Sequence, residues 1–483
     1  MIKFQASIEN KWYFLLGLIL FFLVAKEAYV LPLTHDEGNT IHCSTTSVKD
    51  IVTYADPVPN NHILNTLLIK LNTSLFGERL FIDRLHNFLA FIPLFLFTLA
   101  IAKILFDDIW LRLLLLATII LQPFLLDFFS VTRGYGLSVA LQMVSLYYFV
   151  RLLYDGKSSD LTKSLVWAAL GVYANFTLLN YYIPLSALVI FYSFRQNYKI
   201  RKQVFTKELF TIFATGITLL AIIIVPLYKM VSTKQFVYWG NTGFFHDTVK
   251  HLTISLRSGV DYFGATHEVI YASFISIIGI VMVIGLIIQW LKKSDTKLYW
   301  MMSLLLGVIV YNQLQFYLLD IPFLNARTAL FFIPLVSIPF CLSIQNIGFV
   351  NKNIGFALVI LLNSLILQHF IRGSRVNTNF EWYYDQNTYQ VLDHIKSMVE
   401  SGQAPKPAII NCYWIFYPSL SYHIAHGYEE YIQIAPWDTK ISNDNTSVFY
   451  YTESGEREQL LEKFDISKDF GYGARFLMRA KGK

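Results

Sequence analysis

Charge is what this sequence has least of. Only 15% of its 483 residues are Asp, Glu, Lys or Arg, against about 25% in an ordinary soluble chain. With 55% hydrophobic residues and a mean hydropathy of +0.45, a water-soluble globule is excluded, since no core of this size needs so much apolar surface. Cysteine is nearly as scarce. Cys43, Cys341 and Cys412 are too few and too scattered for a disulfide framework or a zinc site, and Cys341, inside an apolar run, reads as packing. No internal repeat of about 20–50 residues is present, which excludes a solenoid. The net charge of +6 is small, and the Lys and Arg residues gather in short loops between apolar runs. That pattern reports membrane topology and gives no reason to expect a nucleic-acid partner.

What the sequence does have is a series of apolar stretches long enough to cross hydrocarbon, near 12–31, 87–106, 109–126, 134–153, 208–229, 269–291, 298–319, 328–345 and 354–371. The first is too long for a signal-peptide core and lacks a small-residue cleavage site, so it is read as an uncleaved helix. Forty Phe and thirty Tyr suit the two bilayer interfaces. The stretch 164–194 is ambiguous: at 1.5 Å per residue it makes about 46 Å of helix, too long for one span and short for two. Charge decides between them. Two short helices, turned around Asn175 to Tyr182, put three basic loops on one, cytoplasmic, side: Arg151, Lys157 and Lys163; Arg195, Lys199, Arg201, Lys202 and Lys207; and Lys292, Lys293 and Lys297.

The expected fold is therefore mainly α: about eleven transmembrane helices over 1–371, N-terminus inside, then an extracytoplasmic α/β domain over 372–483. In that domain 384–399 reads as an amphipathic helix, 408–414 and 447–452 as strands, and 457–464 as a helix. The loops 32–85, 127–133, 230–268 and 320–327 all face outside, so the chemistry is expected there.

Directly after the first helix stand Asp36 and Glu37, beside His35, at the outer surface. Ionisable groups this close to lipid are costly unless they work. Asn60, Asn61 and His62 then precede an amphipathic stretch, 63–76, suited to a helix lying in the interface. Arg84 follows that stretch, Arg133 and Tyr135 open a later helix, and Arg327 stands at the outer end of another. Arg257, Asp261 and His267 lie among Tyr238, Trp239 and Tyr262. Arginines fixed on the outer side together with a carboxylate pair suit an anionic headgroup handled beside a general base.

These elements, in this order and topology, carry a resemblance. Asp36 and Glu37 after helix one, Asn60 to His62 with Phe76, Gly77 and Glu78 behind them, Arg84 with Leu85, Arg133 with Gly134 and Tyr135, and Arg327 leading into Phe331 to Leu335 resemble the GT-C superfamily of membrane glycosyltransferases. The likeness is to the family 39 type, which includes protein O-mannosyltransferases and the lipid A aminoarabinose transferase. It covers roughly 10–345. The chain departs from that pattern at Ile63, where a proline usually follows the loop histidine, and at His86, where Arg-Leu is commonly followed by proline.

The resemblance implies an interfacial bundle that transfers a sugar from a polyprenyl-phosphate donor to a lipid, glycan or protein acceptor outside a bacterial inner membrane, with inversion. Asp36 then serves as general base with Glu37 beside it; Arg133, Arg327, Arg257 and Arg84 bind the donor phosphate; Asn61, His62 and Tyr135 contact substrate. No cofactor is required, although Asp36, Glu37 and His62 could ligate a divalent cation. The alternatives are a secondary transporter, which would carry its charges near the midplane, and a lipid-linked oligosaccharide polymerase or ligase. The topology is directly testable. A periplasm-dependent phosphatase fused after residue 372 should be active and one fused within 195–207 inactive; the reverse pattern overturns the helix parity.

Overall fold

The computed structural model describes residues 8–200, 202–235, 240–262, 264, 266–293, 296–437, 446–471 and 475–482. Tyr238, Trp239, Arg201 and the side chains of Lys199, Lys202 and Lys207 lie outside the described residues. The chain forms two compact units, one of Met1–Ala28 with Cys43–Arg375, the other of Tyr29–His42 with Val376–Lys483.

The first unit is helical and makes this an integral membrane protein. Among the described residues nine helices are long and apolar enough to span a bilayer, from Asn10–Val30 to Lys352–Gly373, and a bent pair makes ten. That pair, Ile109–Ile120 and Pro123–Ser130, breaks by 57° within the expected span at 109–126. Pro123 explains the break, because it has no N–H to continue the ladder and takes the first turn of a new helix. The part of 127–133 read as a surface loop is thus the end of a fully buried helix.

The ambiguous stretch does divide in two. Ser158–Ala174 ends at Asn175, whose side chain accepts from Thr177 N at 3.0 Å, and Leu179–Ile200 follows a single 3-10 turn. At 17 residues, Ser158–Ala174 is about 25 Å long. It pairs with Gly134–Asp155 through hydroxyls: Ser138 Oγ donates to Gly171 O at 3.0 Å, Ser145 Oγ to Ser164 O at 2.8 Å, and Ser164 Oγ to Ser145 O at 3.0 Å. Small polar residues allow this close approach where lipid offers no competing partner. Cys341 is buried within its helix, as its place in an apolar run implies.

The second unit contains a five-stranded sheet. Strands β1 (Ala408–Cys412), β2 (Ile432–Ile434), β3 (Phe449–Glu453), β4 (Phe464–Asp469) and β5 (Arg475–Ala480) lie in the order β2-β1-β3-β5-β4. β1 runs parallel to β2 and β3, whereas β5 is antiparallel to β3 and β4. Alternation loads both faces. Phe449, Tyr451 and Leu477 meet Val391, Leu392 and Ile395 of the helix Thr388–Glu400, while Tyr450, Phe476 and Met478 pack with Leu460 and Phe464 on the other face. The expected 457–464 helix is Ser454–Leu460, because Phe464 already begins β4.

Candidate active site

Within the first unit, Arg133 is the N-cap residue of Gly134–Asp155 and only 2% exposed. Its Nη2 donates to Asn60 Oδ1 at 3.0 Å, and its guanidinium lies 5.9 Å from the centroid of Tyr135. The His62 ring meets the same tyrosine edge-on at 5.2 Å. Gly134 makes this convergence possible. A Cβ there would lie 2.1 Å from the Ala174 carbonyl oxygen and 2.9 Å from His62 Cβ. Asn61 has a structural task, giving Nδ2–H to Ile51 O at 3.0 Å and accepting at its carbonyl from the Tyr54 hydroxyl. Four of the residues singled out from sequence, the buried His62, Arg133 and Tyr135 and the half-buried Asn60, thus share one cluster.

The helix Ile63–Phe76 fixes that cluster from behind. Asn65 Nδ2 donates to Thr132 O at 3.3 Å, next to Arg133, while Asn65 Oδ1 accepts from His86 Nε2 and Asn87 Nδ2, both at 2.8 Å. Asn72 Nδ2 donates to His86 Nδ1 at 3.1 Å, which assigns His86 the neutral Nε2–H tautomer. His86 therefore takes a network role of its own where the resembling family commonly has proline.

The other arginines have different surroundings. Arg84 is fully buried, gives Nη1–H to Ala28 O at 3.0 Å, and shares its environment with the carboxylates of Glu27 and Asp127. Arg257 is tied to its own loop through Val260 O and His267 Nδ1, each at 2.8 Å, with Asp261 at 3.8 Å. Arg327 is half-buried on a 3-10 turn, Ala326–Ala329, closed by reciprocal capping of Asn325 and Thr328. That turn is braced by Thr248 Oγ1 on Leu324 O at 2.7 Å.

The acidic pair belongs to the second unit. Thr34 precedes the helix His35–Thr45, and Asp36 and Glu37 fall in its first turn, where the helix dipole favours negative charge. Their environments differ. Glu37 is fully buried and its Oε2 accepts from Thr34 N at 3.0 Å, one half of a capping box. Asp36 remains partly open to solvent. Beneath them lies Asp385, 1% exposed, whose Oδ2 accepts from His35 N at 2.7 Å. Burial, reinforced by Glu37 and Asp36, pushes the Asp385 carboxyl well above the usual carboxylate range against the pull of the His35 N–H and Arg475. With its folded pKa raised, this group stabilises the fold most in acid, and the contribution is lost as pH rises from about 3.9 through the folded value.

No family model and no curated protein matches this sequence. Solved structures do. ArnT from Cupriavidus metallidurans, in the apo state and bound to undecaprenyl phosphate, aligns over 98% of this chain and 98% of its own at 10% identity, with TM-scores of 0.49 and 0.50. The chain shares the fold of that ArnT structure. The architecture that the motifs imply is therefore borne out.

Within this fold, sequence reasoning missed Asp385, which accepts from His35 N, His423, which accepts from Leu33 N, and Asn65 and Asn87. The first two act across more than 300 residues of chain, so no local spacing announces them; an Asn pair on facing helices gives only a weak signal. Among the described residues, no group of three or more His, Cys, Asp or Glu is placed to hold a metal ion. The network behind Arg133 has a measurable weight. Asn65→Leu leaves His86 and Asn87 donors without their acceptor, and each stranded group costs about 1–3 kcal/mol. A lowered unfolding temperature of the detergent-solubilised protein is expected, and an unchanged one would remove the network from the stability of this cluster.

Proposed function

We propose that this membrane protein is a glycosyltransferase that moves a sugar from a polyprenyl-phosphate carrier to an acceptor hydroxyl or amine on the extracytoplasmic side. The observation that carries the reading is Arg133, a guanidinium buried at the N-terminal end of a membrane helix. A cation and a helix N-terminus together suit a phosphate, and a desolvated pair is worth far more than the same pair in water. The likeness of fold to ArnT, which has been solved with undecaprenyl phosphate, supports the same substrate class.

In this reading the acceptor oxygen or nitrogen attacks the anomeric carbon as Asp36 takes its proton. The bond from that carbon to the phosphate oxygen breaks, and polyprenyl phosphate departs with the electron pair, inverting the centre. Asp36 suits the role because it is the carboxylate of the pair that solvent partly reaches, whereas Glu37 is fully buried and accepts from the Thr34 N–H. Charge builds on the departing phosphate, so fixed cations stabilise the transition state more than the ground state. Arg133 and Arg327 take that task first. Arg257 follows, and Arg84, already beside two carboxylates, comes last. His62 and Tyr135 flank the sugar, and Asn61 holds the loop that carries them.

Two variants test the roles separately. Asp36→Asn should slow transfer by about 10²–10⁴-fold while the protein still folds and inserts, scored by consumption of a panel of polyprenyl-phosphate sugars in proteoliposomes. Wild-type turnover there would end the base assignment. Arg133→Ala should weaken binding of undecaprenyl phosphate by roughly 10–100-fold, the worth of a hydrogen-bonded charge. Titration of the carrier by intrinsic fluorescence measures this, and unchanged affinity takes Arg133 out of the phosphate site.

A further inference from the structure

The turn that presents Asp36 has three consecutive backbone N–H groups, at Leu33, Thr34 and His35, each answered by a side chain. Leu33 N donates to His423 Nε2 at 2.9 Å, Thr34 N to Glu37 Oε2 at 3.0 Å, and His35 N to Asp385 Oδ2 at 2.7 Å. The Leu33 carbonyl accepts from Ser419 Oγ at 2.6 Å, and Ser419 lies 3.0 Å from Thr388 Oγ1. His35 Nδ1 adds a contact with Ile415 O at 2.8 Å. All these partners except Glu37 come from the C-terminal domain. Leu33, Glu37, Asp385, Ser419 and His423 are all under 9% exposed, so water does not replace them readily.

A helix start leaves several N–H groups without intrahelical partners, and a start without caps frays. Here the caps come from a distant part of the chain. Gly38 presses the seat closed, since a Cβ on it would lie 2.8 Å from Pro418 Cβ. Resting on the reading of Asp36 as the base, we propose that the C-terminal domain is part of the catalytic apparatus: Asp385 and His423 are positioning residues that hold the first turn of His35–Thr45, and so aim the Asp36 carboxylate. His423 accepts with Nε2, which requires the neutral Nδ1–H tautomer. Asp385 contributes as an acceptor aimed at one amide, a role that an amide oxygen performs equally well.

The test uses the full-length protein in nanodiscs, reading amide hydrogen exchange of the peptide spanning 29–42 alongside consumption of the polyprenyl-phosphate sugar panel. His423→Phe and Asp385→Leu should each speed exchange in that peptide about tenfold, the loss of one net hydrogen bond, with β1 and β3 still protected. Turnover should fall at least tenfold at unchanged KM for the donor. Asp385→Asn should restore both. Ser419→Ala, a smaller change, serves should His423→Phe release the sheet. Unchanged exchange, faster exchange with wild-type turnover, or Asp385→Asn behaving as Asp385→Leu would each overturn the proposal. Asp36→Asn keeps the two ideas apart: it should slow transfer by about 10²–10⁴-fold with wild-type exchange at 29–42, and wild-type turnover removes the base while the seat remains.

Discussion

A bilayer offers no hydrogen-bond partners, so each polar group carried into it must be answered by the chain itself. That constraint organises the first unit. It explains the reciprocal bonds of Ser145 and Ser164, the pairing of Asn346 with Gln289 at 2.8 Å, and Gln142 reaching the Phe331 carbonyl at 2.9 Å. It also explains the company of Arg133. A guanidinium this deep persists only where an acceptor and an aromatic face receive it, and Asn60 and Tyr135 supply both.

How far the sequence revealed this depended on the range of each interaction. Hydropathy and the placement of Lys and Arg are local signals, and they located the spans and the division near Asn175. The amphipathic stretch at 63–76 became the helix Ile63–Phe76 for the same reason. Pro123 was visible, but the depth of the helix it opens was not, because Pro123–Ser130 is only eight residues long and only tertiary packing encloses it. In the C-terminal domain the amphipathic helix and two strands were legible. β2 has three residues, and β4 alternates weakly, with burial at Phe464 and exposure along most of the rest. Neither gives a pattern strong enough to stand out.

The site was legible by residue type and order, less so by role. Asp36 and Glu37 look equivalent in a sequence, yet Glu37 is fully buried and closes a turn while Asp36 is partly exposed. The arginines look alike too. Arg84 is surrounded by Glu27 and Asp127, Arg257 is tied to its own loop, and Arg133 sits at a helix entrance. The departures at Ile63 and His86 also find physical accounts. Ile63 is buried against Ile51 and Tyr54, and His86 links two helices through Asn65 and Asn72. A side chain that can both donate and accept has taken a place where a rigid ring would contribute neither.

The second unit draws its residues from both extremes of the chain: Leu33 and His423 are 390 positions apart. Synthesis is vectorial, so the short stretch around Asp36 leaves the ribosome long before Asp385, Ser419 and His423, which receive it, are made. Its final backbone geometry waits for them to arrive. A chain released before them would carry the acidic residues but not their seat, which ties maturation of this turn to synthesis of the C-terminal domain.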